Sequence, residues 1–362
     1  MITRIYVDNF RSLVNFEWKP GRIALLMGAN GSGKSSLIDA LWGLRALIAE
    51  QREIKHWFPP ASRTRWETRL ELAIEIDVVL PQGEFSYKLE IKHDDPKSKI
   101  TKESLVRGST PLMEFVEGEL QLFRDDGSRG PLVTSDWGRS GLGGIAARKD
   151  NRYLTAFKEW IRTHLWFLRP DPRKMTSRTD EEAEGLAIDM ANFASWLPHE
   201  MTQDLGGVVN ATTALGEVLD GFRSLQVSRT APRLGATFQT DDSNVYNVDF
   251  DELSDGQRQL CALYFVRHLI VKSGRLVILD EPDNYVALRE IQPWLMEVLD
   301  LALAKDGPQI WLISHHPELL NQLAPAHGVR FFRHRGPTRI EPFKGAEGLS
   351  SAEVVAGGWD GD

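Results

Sequence analysis

A glycine-rich tract near the start of the chain has the residue types that hold a chain of phosphates. Residues 28–35 read Gly-Ala-Asn-Gly-Ser-Gly-Lys-Ser and fit the pattern G-x-x-x-x-G-K-[ST] at every fixed position. Glycines leave backbone N–H groups open to phosphate oxygens, the lysine adds a positive charge, and the serine hydroxyl can bind Mg²⁺. We expect the nucleotide to contact Gly28, Asn30, Gly31, Ser32, Gly33, Lys34, Ser35 and Ser36, with Ser35 also a metal ligand and Lys34 also catalytic.

Two adjacent carboxylates follow a short apolar run late in the chain. Residues 276–279 are Leu-Val-Ile-Leu, and Asp280 and Glu281 come directly after them. A buried strand does not end in two acids for stability, because burying unpaired charge is costly. Beside a phosphate loop, Asp280 is expected to hold Mg²⁺ through water and Glu281 to polarise the water that attacks the γ-phosphate. The alternative is a solvated acidic turn opened by Pro282.

A third tract could bring a helix start to a phosphate group. Residues 253–258, Leu-Ser-Asp-Gly-Gln-Arg, open a predicted helix that Ser254 can cap, and Gly256 leaves the backbone open to an anion. Leu253 lies 27 residues before Asp280, which leaves room for one helix and a turn. His315 follows the apolar run 310–313, 35 residues after Asp280. His315 and its neighbour His316 can also be read as plain strand-end histidines.

The pattern of apolar residues predicts an α/β fold that holds these tracts. Strand-like runs alternate with helical spacing after residue 253, which indicates a parallel sheet flanked by helices. The chain is expected to comprise an N-terminal lobe with antiparallel β strands (1–125), a loop-rich and helical insertion (126–232) and a C-terminal lobe (233–362). No heptad repeat is sustained, so no long coiled coil is expected.

Individual elements follow from the same periodicity. Strands are predicted at 2–8 and 22–27, and a helix from Ser35 to about Ile48. Further strands are predicted at 70–80, 84–92, 113–124 and 233–250, a mobile loop at 126–151, and helices at 153–167, 185–196 and 211–222.

The amino-acid composition excludes some classes of protein. The 362 residues include one cysteine, Cys261, and have a formal net charge of −8. No internal disulfide is possible, no apolar run reaches the roughly 18 residues of a membrane span, and no signal peptide is apparent. We therefore predict a cytoplasmic protein without a membrane partner. The acidic balance argues against nucleic-acid binding over the whole surface. Two basic stretches, 162–178 and 333–339, are either phosphate-facing surfaces or ordinary solvated faces.

Together these tracts resemble the RecF/SMC/OLD group of ABC-type P-loop ATPases, which includes stand-alone ATPases of prokaryotic phage-defence operons. The resemblance rests on residues 9–13 (Asn-Phe-Arg-Ser-Leu), the phosphate loop, 253–258, 280–283 and 314–317. It implies ATP and Mg²⁺ as cofactors, with His315 contacting the γ-phosphate and Arg11 reaching the nucleotide; the alternative for Arg11 is a role on the surface of a strand. It also implies a homodimer or higher homo-oligomer, in which Ser254 and Gly256 contact ATP bound to the partner.

Three functions are compatible with this resemblance. The first is an ATPase that dimerises around ATP and gates a separate effector, such as a nuclease, or acts on DNA, in phage defence or DNA repair. The second is the ATPase subunit of a membrane transporter, and the third is a scaffold that binds ATP without hydrolysing it. Leu253 lies 218 positions after Ser35, which favours the first over the second, because the resemblance implies about half that spacing in transport subunits. Only 47 residues follow His315, so any nuclease is expected to be a separate chain.

Overall fold

The chain folds into two compact units in the computed structural model. The structure describes residues 1–94, 97–179, 181–228, 232–333 and 335–357. The first unit comprises residues 1–166 and 323–362, and the second comprises residues 167–322. Helices and strands are numbered along the whole chain, and the two units are described separately.

The first unit contains an eight-stranded antiparallel sheet. Its strand order is β2-β1-β4-β5-β6-β7-β8-β9. Residues on alternate positions of the long strands are buried, which is the pattern of a sheet with one face packed on the core. The strands are β1 (Ile2–Asp8), β2 (Phe16–Trp18), β4 (Glu71–Leu80), β5 (Gly83–Asp94), β6 (Lys97–Arg107), β7 (Thr110–Val116), β8 (Glu119–Phe123) and β9 (Arg129–Thr134).

A second group of strands in this unit carries the phosphate loop. β3 (Ile23–Met27) is buried along its whole length and pairs in parallel with β16 (Gly328–Arg333). β16 forms an antiparallel hairpin with β17 (Thr338–Pro342), so the basic stretch 333–339 lies at a hairpin; His334 is outside the described residues. The helices of the unit are α1 (Lys34–Ala49), α2 (Ile54–Trp57), α3 (Gly141–Gly144), α4 (Arg152–His164) and α10 (Ser351–Ala356).

The second unit carries the two acids, Asp280 and Glu281, and residues 253–258, which we call the signature tract. Its parallel pair β14 (Leu276–Asp280) and β15 (Gln309–Ile313) is fully buried. A separate three-stranded antiparallel sheet has the order β11-β12-β13. These strands are β11 (Phe222–Ser228), β12 (Arg233–Gln239) and β13 (Val245–Asp249), and the helices are α5 (Phe193–Gln203), α6 (Leu205–Val218), α7 (Asp255–Leu269) and α8 (Leu288–Leu303). Two elements, β10 (Leu165–Leu168) and α9 (Pro317–His327), span the divisions between the units.

The units differ in their bounds from the three segments expected from sequence. Residues 126–166, expected to belong to the insertion, lie in the first unit. The reason is the apolar face of α4, where Phe157 is fully buried and its ring packs 5.8 Å from those of Phe85 and Tyr87 on β5. Burying this aromatic surface attaches α4 to the antiparallel sheet.

Several predicted elements need correction. The strand expected at 113–124 is two strands, because Glu117 and Gly118 adopt positive φ and turn the chain. The segment 126–151, expected to be a loop, contributes β9, which pairs with β8. The helix expected at 185–196 begins only at Phe193. Asn192 holds the preceding turn by accepting from Ala187 N–H and donating to the Gly185 carbonyl, and this local bonding replaces helical bonds.

The expected fold class is confirmed. The structure combines parallel strand pairs, antiparallel sheets and helices. In the described ranges the longest helices, α1 and α8, have 16 residues each, so no long coiled coil is present there. No helix in those ranges is both long and apolar enough to cross a membrane.

His93 is a buried histidine whose charge depends on folding. It lies on β5 with 1% of its surface exposed, and its Nδ1 is 2.8 Å from Ser98 Oγ. Burial, assisted by the charge of Arg63, lowers the pKa of His93 to about 4. The folded chain therefore keeps the ring neutral at pH values where the unfolded chain protonates it. Stability from this difference is present above pH 6.5 and is lost as the pH falls towards 4.

Replacing His93 by Gln should reduce the acid sensitivity of the fold. We expect the loss of unfolding free energy between pH 7 and pH 5 to be about 1–2 kcal/mol smaller in His93→Gln than in the unaltered chain. Urea titrations at the two pH values measure this difference. His56→Gln, at an exposed histidine, is the control and should behave like the unaltered chain. Equal pH dependence in all three proteins would contradict this account of His93.

Candidate nucleotide-binding site

The phosphate loop has a backbone that glycine alone adopts readily. It begins where β3 ends, and Gly28, Gly31 and Gly33 have φ of 141°, 77° and 109°. A Cβ on Gly28 would lie 2.1 Å from the carbonyl oxygen of Phe331 on β16, so a side chain there cannot be accommodated. A Cβ on Gly31 would meet nothing within 4 Å. The loop is therefore closed against its own unit at Gly28 and open at Gly31.

Lys34 begins α1 and bends its side chain back over this loop. Its side chain is buried, and its Nζ donates to the carbonyl of Gly28 at 2.5 Å and to that of Ala29 at 3.3 Å. These bonds hold the ammonium group across the concave side of the turn. The hydroxyl-bearing residue Ser35, together with Asn30 and Gly31, is exposed, whereas Ser32 is buried and Ser36 is partly buried. A ligand bound at this loop could therefore contact both the Lys34 ammonium group and the Ser35 hydroxyl.

Arg11 lies in the same unit but is engaged elsewhere. It has a positive φ of 52° and pairs with Asp39 on α1. Its loop is closed by reciprocal backbone hydrogen bonds between Phe10 and Leu13, of 3.0 and 2.8 Å. A contact between Arg11 and a nucleotide would require the side chain to leave Asp39.

The two acids at the end of β14 have different surroundings. Asp280 is 6% exposed, and one of its carboxylate oxygens lies 3.3 Å from Nε of Arg169 in an ion pair. Glu281 has a φ of 50°, an uncommon conformation for a residue with a Cβ. Its N–H donates to the Ile313 carbonyl at 2.8 Å, and Asn284 Nδ2 donates to its carboxylate at 2.7 Å. These hydrogen bonds hold Glu281 in place at the point where its side chain turns away from β14.

Asp283 is a third acid in this tract, and it points into its own unit. Its side chain is 8% exposed. Burial raises the pKa of Asp283, the negative charge of Glu281 acts in the same direction, and a hydrogen bond from Ser314 opposes the increase. Asp283 therefore ties the tract after β14 to the residue that follows β15.

The signature tract packs against the residues that follow the acids. Ser254 is exposed; its Oγ accepts from Gln257 N–H at 3.2 Å, and Gln257 Oε1 accepts from Ser254 N–H at 3.0 Å. A Cβ on Gly256 would lie 2.8 Å from the Tyr285 carbonyl oxygen. Gln259, which has no exposed surface, donates to the Pro282 carbonyl at 2.9 Å. The start of α7 and the tract after Glu281 are therefore one packed assembly.

The two neighbouring histidines have separate positions. His315 is exposed at the end of β15. His316 caps α9: its N–H donates to Ser314 Oγ at 2.9 Å, and its Nδ1 accepts from Glu318 N–H at 3.2 Å. This local bonding gives His316 a structural role and leaves His315 as the exposed residue of the two.

The predicted site residues thus divide between the units. The phosphate loop and Arg11 belong to the first, and the acids, the signature tract and His315 belong to the second. Sequence reasoning missed Asn284 and Gln259, and it placed Arg169 only in the basic stretch 162–178 and not beside Asp280. Arg169 had a usable signal, since it directly follows the apolar run Leu165–Leu168 as Asp280 follows Leu276–Leu279. The roles of Asn284 and Gln259 depend on tertiary contacts and had no such signal.

Comparison with known proteins gives one family match. The family model described as "AAA domain, putative AbiEii toxin, Type IV TA system" matches residues 23–321, which include the phosphate loop, the signature tract, both acids and His315. No curated protein matches the chain.

Two solved structures are similar to the chain. The SMC head domain from Thermotoga maritima is 12% identical, with a TM-score of 0.48, over 95% of this chain and 99% of that one. An Smc head domain with a coiled coil and joint derived from Pyrococcus yayanosii is 11% identical, with a TM-score of 0.49, over 98% and 99%.

The ion pair of Arg169 should compete with a divalent cation for Asp280. We expect Arg169→Met to bind Mn²⁺ about two- to fivefold more tightly in the absence of nucleotide, since a half-exposed ion pair contributes at most about 1 kcal/mol. Electron paramagnetic resonance of free Mn²⁺ measures the affinity. Arg173→Met is the matched control, because Arg173 is a nearby arginine that pairs instead with Asp171. Unchanged or weaker Mn²⁺ binding in Arg169→Met would show that Arg169 does not compete.

Proposed function

Because this chain belongs to the AAA-domain family whose model it matches, and is a P-loop ATPase of ABC type, we propose that it hydrolyses ATP in sites completed by a second copy. In this proposal the phosphate loop binds the triphosphate of one ATP. The signature helix of the other copy contacts the same nucleotide. Hydrolysis then separates the two copies.

The shape of the loop supports phosphate binding. Three glycines in this loop have positive φ, and backbone with residues in this conformation forms the concavities in which N–H groups bind anions. Lys34 holds its ammonium group over this turn with bonds to two carbonyl groups. When a triphosphate binds, Lys34 would exchange those carbonyl contacts for contacts with phosphate oxygens, which interact more strongly with its positive charge. The N-terminus of the 16-residue α1 adds the positive end of a helix dipole.

Two predicted metal ligands each have side-chain chemistry that suits Mg²⁺. Ser35 supplies an exposed hydroxyl at the first turn of α1, and Asp280 supplies a carboxylate that already attracts a cation, the Arg169 guanidinium. Oxygen ligands of this kind, few in number and completed by phosphate and water, suit Mg²⁺. When bound, the ion neutralises charge on the phosphate oxygens.

We assign the activation of water to Glu281. The carboxylate is held by Asn284 and by a backbone anchored to Ile313, so it does not need to be ordered at the moment of reaction. It accepts a hydrogen bond from water and polarises that water towards the γ-phosphate. His315, exposed beyond β15, is assigned to the γ-phosphate itself.

The observation that carries the two-copy proposal is the exposure of Ser254 at the start of α7. Its Oγ accepts a hydrogen bond from its own helix, which leaves the hydroxyl proton available for a phosphate oxygen. Gly256 presents backbone without a side chain beside it. Gly256 lies against the Tyr285 carbonyl in the tract after Glu281, so contact with a partner's ATP would also act on the catalytic acid.

We further propose that this association cycle gates a separate effector protein. Joining and separation of two copies under the control of ATP is a two-state switch that a partner can recognise. The family description names toxins of toxin–antitoxin systems, which supports a role in defence against phage rather than in DNA repair. The effector, such as a nuclease, and DNA remain the candidate partners.

Replacing Glu281 by Gln should trap the two-copy state. The amide keeps the size of the side chain but accepts protons poorly, so hydrolysis should fall by about 10²–10⁴-fold while ATP binding persists. We expect multi-angle light scattering to show a dimer with ATP and Mg²⁺, and a monomer without ATP.

Glu217→Gln, an exposed acid on α6, is the control and should keep wild-type hydrolysis. Hydrolysis at the wild-type rate in Glu281→Gln would remove Glu281 from the mechanism. Absence of an ATP-dependent dimer in both the wild type and Glu281→Gln would refute completion of the site by a second copy.

A further inference from the structure

Thr338 connects the phosphate loop to the C-terminal hairpin within the first unit. It is the first residue of β17 and has no exposed surface. Its N–H donates to the Ser12 carbonyl at 2.8 Å, its Oγ1 donates to the Ser32 carbonyl at 2.9 Å, and its Oγ1 is 2.8 Å from Ser12 Oγ. One side chain thus joins the loop of residues 9–13 to the phosphate loop.

The directions of these hydrogen bonds follow from the groups involved. A carbonyl oxygen accepts and never donates, so the Thr338 hydroxyl must give its proton to Ser32. The remaining contact then requires Ser12 to donate to Thr338. The result is a single chain of hydrogen bonds that runs from Ser12 through Thr338 to the carbonyl of Ser32, with no alternative orientation of the Thr338 hydroxyl.

Holding the Ser32 carbonyl also fixes the N–H of the next residue. The carbonyl of Ser32 and the N–H of Gly33 belong to one peptide group, and in a planar trans peptide they point in opposite directions. Because the carbonyl is bonded to Thr338, the Gly33 N–H points away from the hairpin. Without that bond the peptide group could rotate and take the N–H with it.

Gly33 and Thr338 fit together closely. Gly33 has a φ of 109°, and a Cβ on it would lie 2.2 Å from Thr338 Oγ1 and 2.8 Å from Thr338 Cγ2. The absence of a side chain at Gly33 is therefore what allows the Thr338 hydroxyl to reach the neighbouring carbonyl. Two features therefore require a glycine before Lys34, namely its positive φ and its close contact with Thr338.

We propose that Thr338 is a positioning residue for ATP binding, which orients the Gly33 N–H towards the phosphates. The inference rests on the proposed function, in that it assumes that this loop binds ATP. It assigns Thr338 no contact with the nucleotide. Its hydroxyl contributes by keeping one donor of the loop in place before the ligand arrives, so that binding does not have to order it.

Two substitutions separate the hydroxyl from the shape of the side chain. Thr338→Val keeps the methyl group and the volume but removes the hydrogen bond to Ser32, whereas Thr338→Ser keeps the hydroxyl. Thr237→Val is the matched control, because Thr237 is also a buried strand threonine with a hydroxyl hydrogen bond, to Asn247. Affinity for ATP is measured by fluorescence titration with N-methylanthraniloyl-ATP, well below the melting temperature of each variant.

We expect Thr338→Val to bind this ATP analogue about tenfold more weakly, and Thr338→Ser and Thr237→Val to bind within about twofold of the wild type. Hydrogen–deuterium exchange without nucleotide should be faster in the peptide containing Gly33 in Thr338→Val only. If Thr338→Val binds ATP as the wild type does, even with a lower melting temperature, the positioning role is wrong and the proposed function stands. If the wild type itself fails to bind, the proposed function is overturned and this inference with it.

Discussion

The first unit depends on holding one strained loop, in which three glycines have positive φ and the Lys34 ammonium group lies across the turn. Unpaired N–H groups and an ammonium group held close together are unfavourable, because they repel cations and leave hydrogen-bond donors unused. The surrounding fold must therefore hold them rigidly. Here the turn is fixed at Gly28 by close approach of Phe331 and at Gly33 by close approach of Thr338. Buried β3 leads into the loop and α1 leads out of it. The first unit is thus organised around a short segment whose conformation few other sequences could adopt.

The second unit likewise holds Glu281, the acid that we propose to be catalytic, in a strained conformation. Glu281 adopts a left-handed conformation that costs about 1 kcal/mol or more and is maintained by the bonds to Ile313 and Asn284. Gln259 and Gly256 on α7 pack against the residues just after it. These contacts join the start of α7 to the tract that carries Glu281, and we propose that they link partner contact to hydrolysis.

The sequence predicted those features that are encoded locally. The phosphate loop, the buried strand before Asp280 and the capped helix at Ser254 each have a dense local pattern, and all appear where expected. The turn at 117–118 and strand β9 were missed because weakly apolar edge strands resemble loops in sequence. The hydrogen bond from Thr338 to Ser32 joins residues more than 300 positions apart, so no spacing rule could reveal it. The apolar run before Arg169 marks the end of a strand but does not reveal its pairing with Asp280, 111 positions away. The roles of the site residues stay predictions until they are tested by substitution.

Mixing two inactive variants tests most directly whether one copy completes the site of another. Lys34→Ala removes the phosphate-loop cation, and Ser254→Arg blocks the signature contact, so each variant alone should be inactive. If the site forms between copies, a mixed dimer has one site built from an intact loop and an intact signature. Random pairing makes half of the dimers mixed, and an equimolar mixture should recover about one quarter of the wild-type ATP hydrolysis rate. A mixture as inactive as its two components would contradict the account.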